Sequence, residues 1–212
     1  MSFKSNLNAT IYLKLLDEIS QYPQSDLMVV TKNQSELAVL DLINNGQRIF
    51  GENRIQEAKS KFSNISSELY QLHLIGPLQS NKVKLALNIF DVIQSIDRPK
   101  IVYEIVKFLP NTPKTKEFYI QINIGKEQQK SGVAPELIQN LYDTCIDNNL
   151  NITGFMCIPP LDQPAEFYFK KMVEIKNNIN PSLKLSMGMS NDYKLALELG
   201  SNLIRIGSLL FK

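Results

Sequence analysis

Apolar residues in this chain follow two alternating periods. Short apolar runs, many of them β-branched and bounded by turn residues, recur at Leu27–Thr31, Arg48–Phe50, Gln71–Ile75, Val92–Ile96, Phe118–Ile124, Ile152–Ile158, Leu183–Ser186 and Leu203–Ile206. Their length and flanks predict eight strands. The intervening stretches place apolar residues at i, i+3 and i+4, as in Leu37, Leu40 and Ile43 or Ile138, Leu141 and Cys145, and so predict amphipathic helices. Met1–Ser20 carries the same helical spacing ahead of the first strand, as an extra N-terminal helix.

Regular alternation of strand and helix implies parallel strands joined by right-handed crossovers, and eight repeats point to a closed (β/α)8 TIM barrel. An open doubly wound sheet is the alternative. The 212 residues suit one domain, since barrels of about 200 to 250 residues routinely fold as a unit. No Gly/Ser-rich linker, charge block or low-complexity segment divides the chain, and Pro110–Glu117 reads as a loop between a helix and a strand.

Composition narrows the function classes. Hydrophobic residues make up 43% and charged residues 21%, which excludes a disordered chain. The 23 basic and 21 acidic residues are scattered, leaving no stripe to track a phosphate backbone, so nucleic acid is not an expected partner. Lys14, Asp17 and Glu18 interrupt the N-terminal segment where a signal peptide needs an apolar core. No window approaches the roughly 20 apolar residues that span a bilayer, so the expected location is cytoplasmic and away from membrane. Cys145 and Cys157 have neither disulfide-framework nor zinc spacing, and His73 is the only histidine, which disfavours a metal site.

In a barrel the chemistry gathers where strands end and loops begin. Lys32 directly follows the first strand, and a desolvated lysine there can lose its proton and attack an aldehyde. Taken alone, the segment more often describes a solvated lysine. Phe50-Gly51-Glu52-Asn53 ends the second strand, with Gly51 read as a tight turn and Glu52 and Asn53 as polar groups opening a helix. His73 lies on the face opposite Leu72 and Leu74, as a core histidine or a site residue. Ser186-Met187-Gly188-Met189-Ser190 closes the seventh strand, where backbone N–H groups and hydroxyls can hold a phosphate or Ser190 can simply cap a helix. Arg205-Ile206-Gly207-Ser208 follows in the eighth strand and its loop. Two candidate phosphate loops thus fall after strands seven and eight, where barrels usually place them.

These segments, with Val30-Thr31-Lys32, the run from His73 through Gly76-Pro77-Leu78-Gln79-Ser80-Asn81-Lys82, and Lys130-Ser131-Gly132, resemble the pyridoxal phosphate homeostasis protein family, which is related to the N-terminal barrel domain of alanine racemase. The resemblance spans nearly the whole chain. It implies that pyridoxal 5′-phosphate is held as a Schiff base on Lys32, with Asn53, His73, Ser186, Met189, Ser190, Arg205, Gly207 and Ser208 as cofactor-binding residues. Arg205 would face the pyridine nitrogen, where an arginine disfavours ring protonation and weakens the electron sink. Two departures stand out: Gln34 occupies the place of a second lysine, and the chain ends Leu210-Phe211-Lys212 where relatives commonly have Phe-Gly and an extension.

The expected function is therefore cofactor homeostasis without catalysis, with apo pyridoxal-phosphate enzymes as recipients and no metal. Racemase relatives add a second domain that supplies an opposing tyrosine, and the chain stops just after its eighth strand. The alternative is a weak one-base amino acid racemase, in which Lys32 takes and returns the α-proton. A cofactor-free phosphate-ester enzyme is a third class. A barrel needs no partner to complete its core, so a monomer is expected.

Overall fold

The computed structural model describes residues 5–109 and 114–211. Residues 110–113, the start of the expected Pro110–Glu117 loop, lie outside the described residues, as do Met1–Lys4 of the N-terminal segment and Lys212. Eight parallel strands close into one barrel in sequential order: β1 (Asp26–Val30), β2 (Ile49–Glu52), β3 (Gln71–Leu74), β4 (Val92–Ile96), β5 (Glu117–Ile122), β6 (Ile152–Cys157), β7 (Lys184–Ser186) and β8 (Leu203–Ile206). Closure comes from β1 pairing with β8, with Met28 opposite Arg205. The fold is the (β/α)8 barrel that the sequence pattern predicts.

Helices α2 (Glu36–Asn44), α3 (Ile55–Phe62), α4 (Val83–Ile89), α5 (Pro99–Phe108), α6 (Ile138–Asp147), α7 (Ala165–Ile179) and α8 (Tyr193–Glu198) follow β1 to β7 in turn. The extra helix is α1 (Ala9–Ser20), capped by Asn8, whose side chain accepts from Ile11 N at 3.1 Å. It sits between α8 and α2 in the outer ring. Tyr193 of α8 donates to Glu18 at 2.6 Å, Tyr12 donates to Gln47 just beyond α2 at 3.3 Å, and Asn8 N–H bonds the Leu210 carbonyl at 2.8 Å. The N-terminal helix thereby covers the seam where β8 meets β1.

Alternation along each strand sorts the side chains into two cores. Leu27, Val29, Phe50, Leu72, Leu74, Ile93, Phe118, Ile120, Phe155, Leu185 and Ile204 point outward into one continuous apolar layer shared with the helices. Full burial of each such side chain contributes about 1.5–3 kcal/mol. The opposite positions fill the barrel interior, and there several are polar: His73, Gln94, Ser186 and Arg205 are all buried.

Four strands end one or two residues earlier than expected, because the terminal residues leave the ladder to form the rim; β2 instead runs on through Gly51 and Glu52. Gly51 is therefore not a turn residue. A Cβ there would meet Met28 Sδ at 2.5 Å, so a larger residue would have to displace the Met28 side chain inside the barrel. Glu52 is fully buried and opens no helix; α3 begins after Arg54, without a side-chain cap. Ser190 is likewise not the cap of α8: that position belongs to Asp192, whose carboxylate accepts from Met189 N at 2.6 Å.

Candidate active site

A cavity of about 250 Å³ opens at the carboxyl end of the barrel. Its walls come from the ends of six strands: Val30 and Lys32 at β1, Asn53 after β2, Ile75 after β3, Ile158 after β6, and Met189, Ser190, Arg205, Gly207 and Ser208 at the ends of β7 and β8. Seven residues singled out from the sequence thus converge on one space. Val30, Ile75 and Ile158 were not singled out; they supply the apolar faces between which a flat ring can lie. Their signal is only that each stands at or next to the end of a strand.

Lys32 occupies the turn after β1, on the cavity wall, with its side chain largely exposed. The backbone beside it is held firmly. Asn33 adopts φ +61°, and its N–H bonds a Glu57 carboxylate oxygen. Thr31 donates its hydroxyl to Glu52 at 2.6 Å.

Across the cavity, the hydroxyls of Ser190 and Ser208 stand 3.2 Å apart. Gly188 makes the intervening turn at φ +93°, and its carbonyl accepts from Arg205 N at 2.9 Å, which ties the loop after β7 to β8. At Gly207 a Cβ would lie 2.9 Å from the Val30 carbonyl oxygen. The absence of a side chain lets the end of β8 approach β1 and leaves room beside the two hydroxyls.

The floor contains a buried cation. Arg205 donates through Nη1 to the Ser186 carbonyl at 2.6 Å and the Ser186 hydroxyl at 3.0 Å, and through Nη2 to the Cys157 carbonyl at 2.7 Å. Burial holds its pKa below the ordinary arginine value, though arginine stays charged. No carboxylate bonds it among the described hydrogen bonds and ion pairs. Its orientation is set instead by neutral dipoles: the Ser186 hydroxyl donates to Gln94 Oε1 at 2.8 Å, and Gln94 Nε2 meets His73 Nδ1 at 2.9 Å.

Burial, reinforced by the Lys184 charge, pushes the His73 pKa down to about 3. A neutral ring that accepts at Nδ1 carries its proton on Nε2, which has no hydrogen-bond partner. His73 and Ser186 are not among the residues that line the cavity; Ser186 bonds Arg205 directly, and His73 connects to it through Gln94 and Ser186. Gln94, which sequence reasoning missed, joins them; its signal was a polar pair, Gln94-Ser95, inside an otherwise apolar strand.

A second compartment of about 250 Å³ shares Asn53, Ile75 and Ile158 with the first and extends to Gln121, Lys130 and Ser131. Lys130 is not a free amine there, since it pairs with Glu127 and donates to the Pro159 carbonyl at 3.0 Å. Among the described residues no group of three or more histidine, cysteine or acidic side chains is placed to hold a metal ion, and no helix is long and apolar enough to cross a membrane.

Comparison with known proteins places this geometry. The family model of the alanine racemase N-terminal domain matches residues 13–212. The pyridoxal phosphate homeostasis protein of Aquifex aeolicus is 34% identical over 194 residues, covering 87% of this chain and 85% of that protein. The protein of the same name from Haemophilus influenzae is 38% identical over 198 residues, covering 87% and 83%. Among solved structures, PipY of Synechococcus elongatus with PLP bound superposes with a TM-score of 0.83 at 31% identity, over 95% of this chain and all of that one. Alanine racemase from Acinetobacter baumannii shares the fold, with a TM-score of 0.76 at 16% identity over 96% of this chain and 61% of that enzyme. The chain belongs to the alanine racemase N-terminal-domain family and, within it, to the pyridoxal phosphate homeostasis proteins.

Proposed function

We propose that this chain binds pyridoxal 5′-phosphate as a Schiff base on Lys32 and regulates the intracellular supply of that cofactor, without robust catalysis. The observation that carries the reading is one cavity that presents an amine on one wall, paired hydroxyls across it and a buried guanidinium on its floor. The residues fit the group. Apolar faces from Val30, Ile75 and Ile158 suit a flat ring, and the Ser190, Gly207 and Ser208 corner suits a phosphate, with hydroxyl donors and room for close backbone approach. When bound, the cofactor supplies a reactive aldehyde that an amine captures reversibly with loss of water, together with a ring that can draw electrons.

Each protein group has a distinct task in this reading. Lys32 supplies the amine. Asn53 offers an amide at the cavity edge, and Met189 closes the wall beside the phosphate corner. Arg205 would present a cation to the ring, and a cation beside the ring nitrogen would disfavour its protonation and weaken the ring as an electron sink. Ser186, Gln94 and His73 fix that guanidinium without adding an acid.

Absence of robust catalysis is supported by the same inventory. Lys32 and Arg205 are the ionisable side chains among the described residues lining the cavity, so Lys32 has no opposing acid or base there. The relatives' names and the PLP-bound PipY structure support the cofactor and the homeostatic role. Delivery to apo pyridoxal-phosphate enzymes, a cytoplasmic location, a single-domain organisation and a monomeric state belong to the same proposal.

Titration with pyridoxal phosphate tests it: wild type develops the visible absorption of a lysine-bound aldehyde, and Lys32→Ala does not. Equal absorption in both would reject Lys32. The racemase alternative predicts sustained, Lys32-dependent exchange of the alanine α-proton in heavy water, and the homeostasis reading predicts none.

A further inference from the structure

A second lysine, outside the cavity, grips the backbone on which Lys32 stands. Lys61 lies near the end of α3, and its side chain is only 5% exposed. A buried ammonium persists only where its charge and its three N–H donors are matched. Here Nζ donates to the Thr31 carbonyl at 2.5 Å, Glu52 Oε1 at 2.6 Å and Glu57 Oε1 at 2.9 Å. All three protons are committed, so Lys61 is not itself an available nucleophile.

The acceptors share a second feature. Glu52 Oε1 also receives the Thr31 hydroxyl, and Glu57 Oε1 also receives the Asn33 N–H. Thr31 and Asn33 are the two neighbours of Lys32. The left-handed conformation of Asn33 costs on the order of 1 kcal/mol for a residue other than glycine, and the Glu57 bond offsets that cost. A staple serving stability alone would be achieved at least as well by apolar side chains of similar volume. What Lys61 and its carboxylates add is a fixed backbone on both sides of a single residue.

We propose that Lys61, through Glu52 and Glu57, is a positioning residue that holds the turn bearing Lys32 in the geometry needed for capture of the aldehyde. The inference rests on the reading of Lys32 given above. Its sequence signal was slight: a lysine three residues after Ala58 and beside Phe62, on the buried face of an otherwise ordinary helix. Among the described contacts, Lys61 is the cation that bonds this turn.

The test compares two ligands with the same ring and phosphate. Pyridoxal phosphate can condense with Lys32; pyridoxamine 5′-phosphate, an amine, cannot. Removal of Lys61 alone would strand Glu52, whose Oε2 already lacks a partner, so the principal variant is Lys61→Met combined with Glu52→Gln. Affinity for pyridoxal phosphate is expected to fall about tenfold or more, equivalent to about 1.4 kcal/mol, and visible absorption to appear more slowly. Affinity for pyridoxamine phosphate, read by fluorescence or calorimetry, should change by no more than about twofold.

Equal losses for both ligands, or no loss for either, would overturn the positioning role. Glu57→Gln, which keeps the Lys61–Glu52 pair, should shift the same ratio in the same direction to a smaller extent, and it carries the test if the double variant does not fold. An unchanged ratio in Glu57→Gln would then overturn the proposal. Failure of wild type to capture pyridoxal phosphate would overturn the assignment of Lys32 and this inference with it, whereas capture unaffected by the substitutions removes this inference alone.

Discussion

His73 offers a test of the buried chain beneath the site that needs no cofactor. Its ring has a pKa near 3 in the folded protein, against 6.5 for the free side chain. The folded value is the lower one, so its contribution is fully present above pH 6.5 and is lost as pH falls towards 3, where the unfolded chain binds a proton that the folded chain refuses. Over that window the slope approaches about 1.4 kcal/mol per pH unit, and between pH 7 and pH 5 the loss amounts to about 2 kcal/mol. Carboxylates also titrate, chiefly nearer pH 4, which calls for a difference measurement. His73→Gln retains an acceptor for Gln94 and removes the titration. Urea unfolding at pH 7, 6 and 5 should show the wild-type midpoint falling relative to the variant by the equivalent of about 2 kcal/mol across the series. Parallel pH profiles would refute the reasoning, because they would mean that the ring protonates in place, with water or an acceptor at Nε2.

Other substitutions probe the two ends of the cavity. Gly207→Ala forces a methyl group against the Val30 carbonyl, and a stability loss of about 1–3 kcal/mol with weakened cofactor binding is expected from denaturation and titration. Ser190→Ala combined with Ser208→Ala removes two donors from the proposed phosphate corner; affinity for inorganic phosphate and for pyridoxal phosphate should both fall by about tenfold, with little change in stability. Arg205→Met leaves the Ser186 and Cys157 carbonyls without their donors, and a loss of about 2–4 kcal/mol should appear as a lower midpoint in urea.

Much of this was legible before any coordinates. Strand positions followed from apolar runs because interior strands of a barrel are buried on both faces, and the site followed from a rule of position: Lys32, Asn53, Met189, Ser190, Arg205, Gly207 and Ser208 stand at or beside strand exits. What could not be read was depth. His73 and Ser186 lie on the same barrel-facing side as Arg205, yet neither lines the cavity, and only pairing across non-adjacent strands shows that Gln94 connects them. Gly51 and Glu52 were misread as turn and cap for a related reason, since a glycine or an acid at a strand end looks the same whether it packs inward or opens a helix. Lys61 was hidden because a helical pattern shows which face is buried but not that a strand exit presents a carbonyl to that face.

The central claim is that one particular amine carries the cofactor, and reduction followed by mass mapping addresses it directly. After incubation with pyridoxal phosphate and borohydride, the wild-type digest should carry a single phosphopyridoxyl mass on the peptide containing Lys32, with the peptides containing Lys61 and Lys130 unmodified. Label on either of those lysines with none on Lys32, or no stable label at all, would contradict the account.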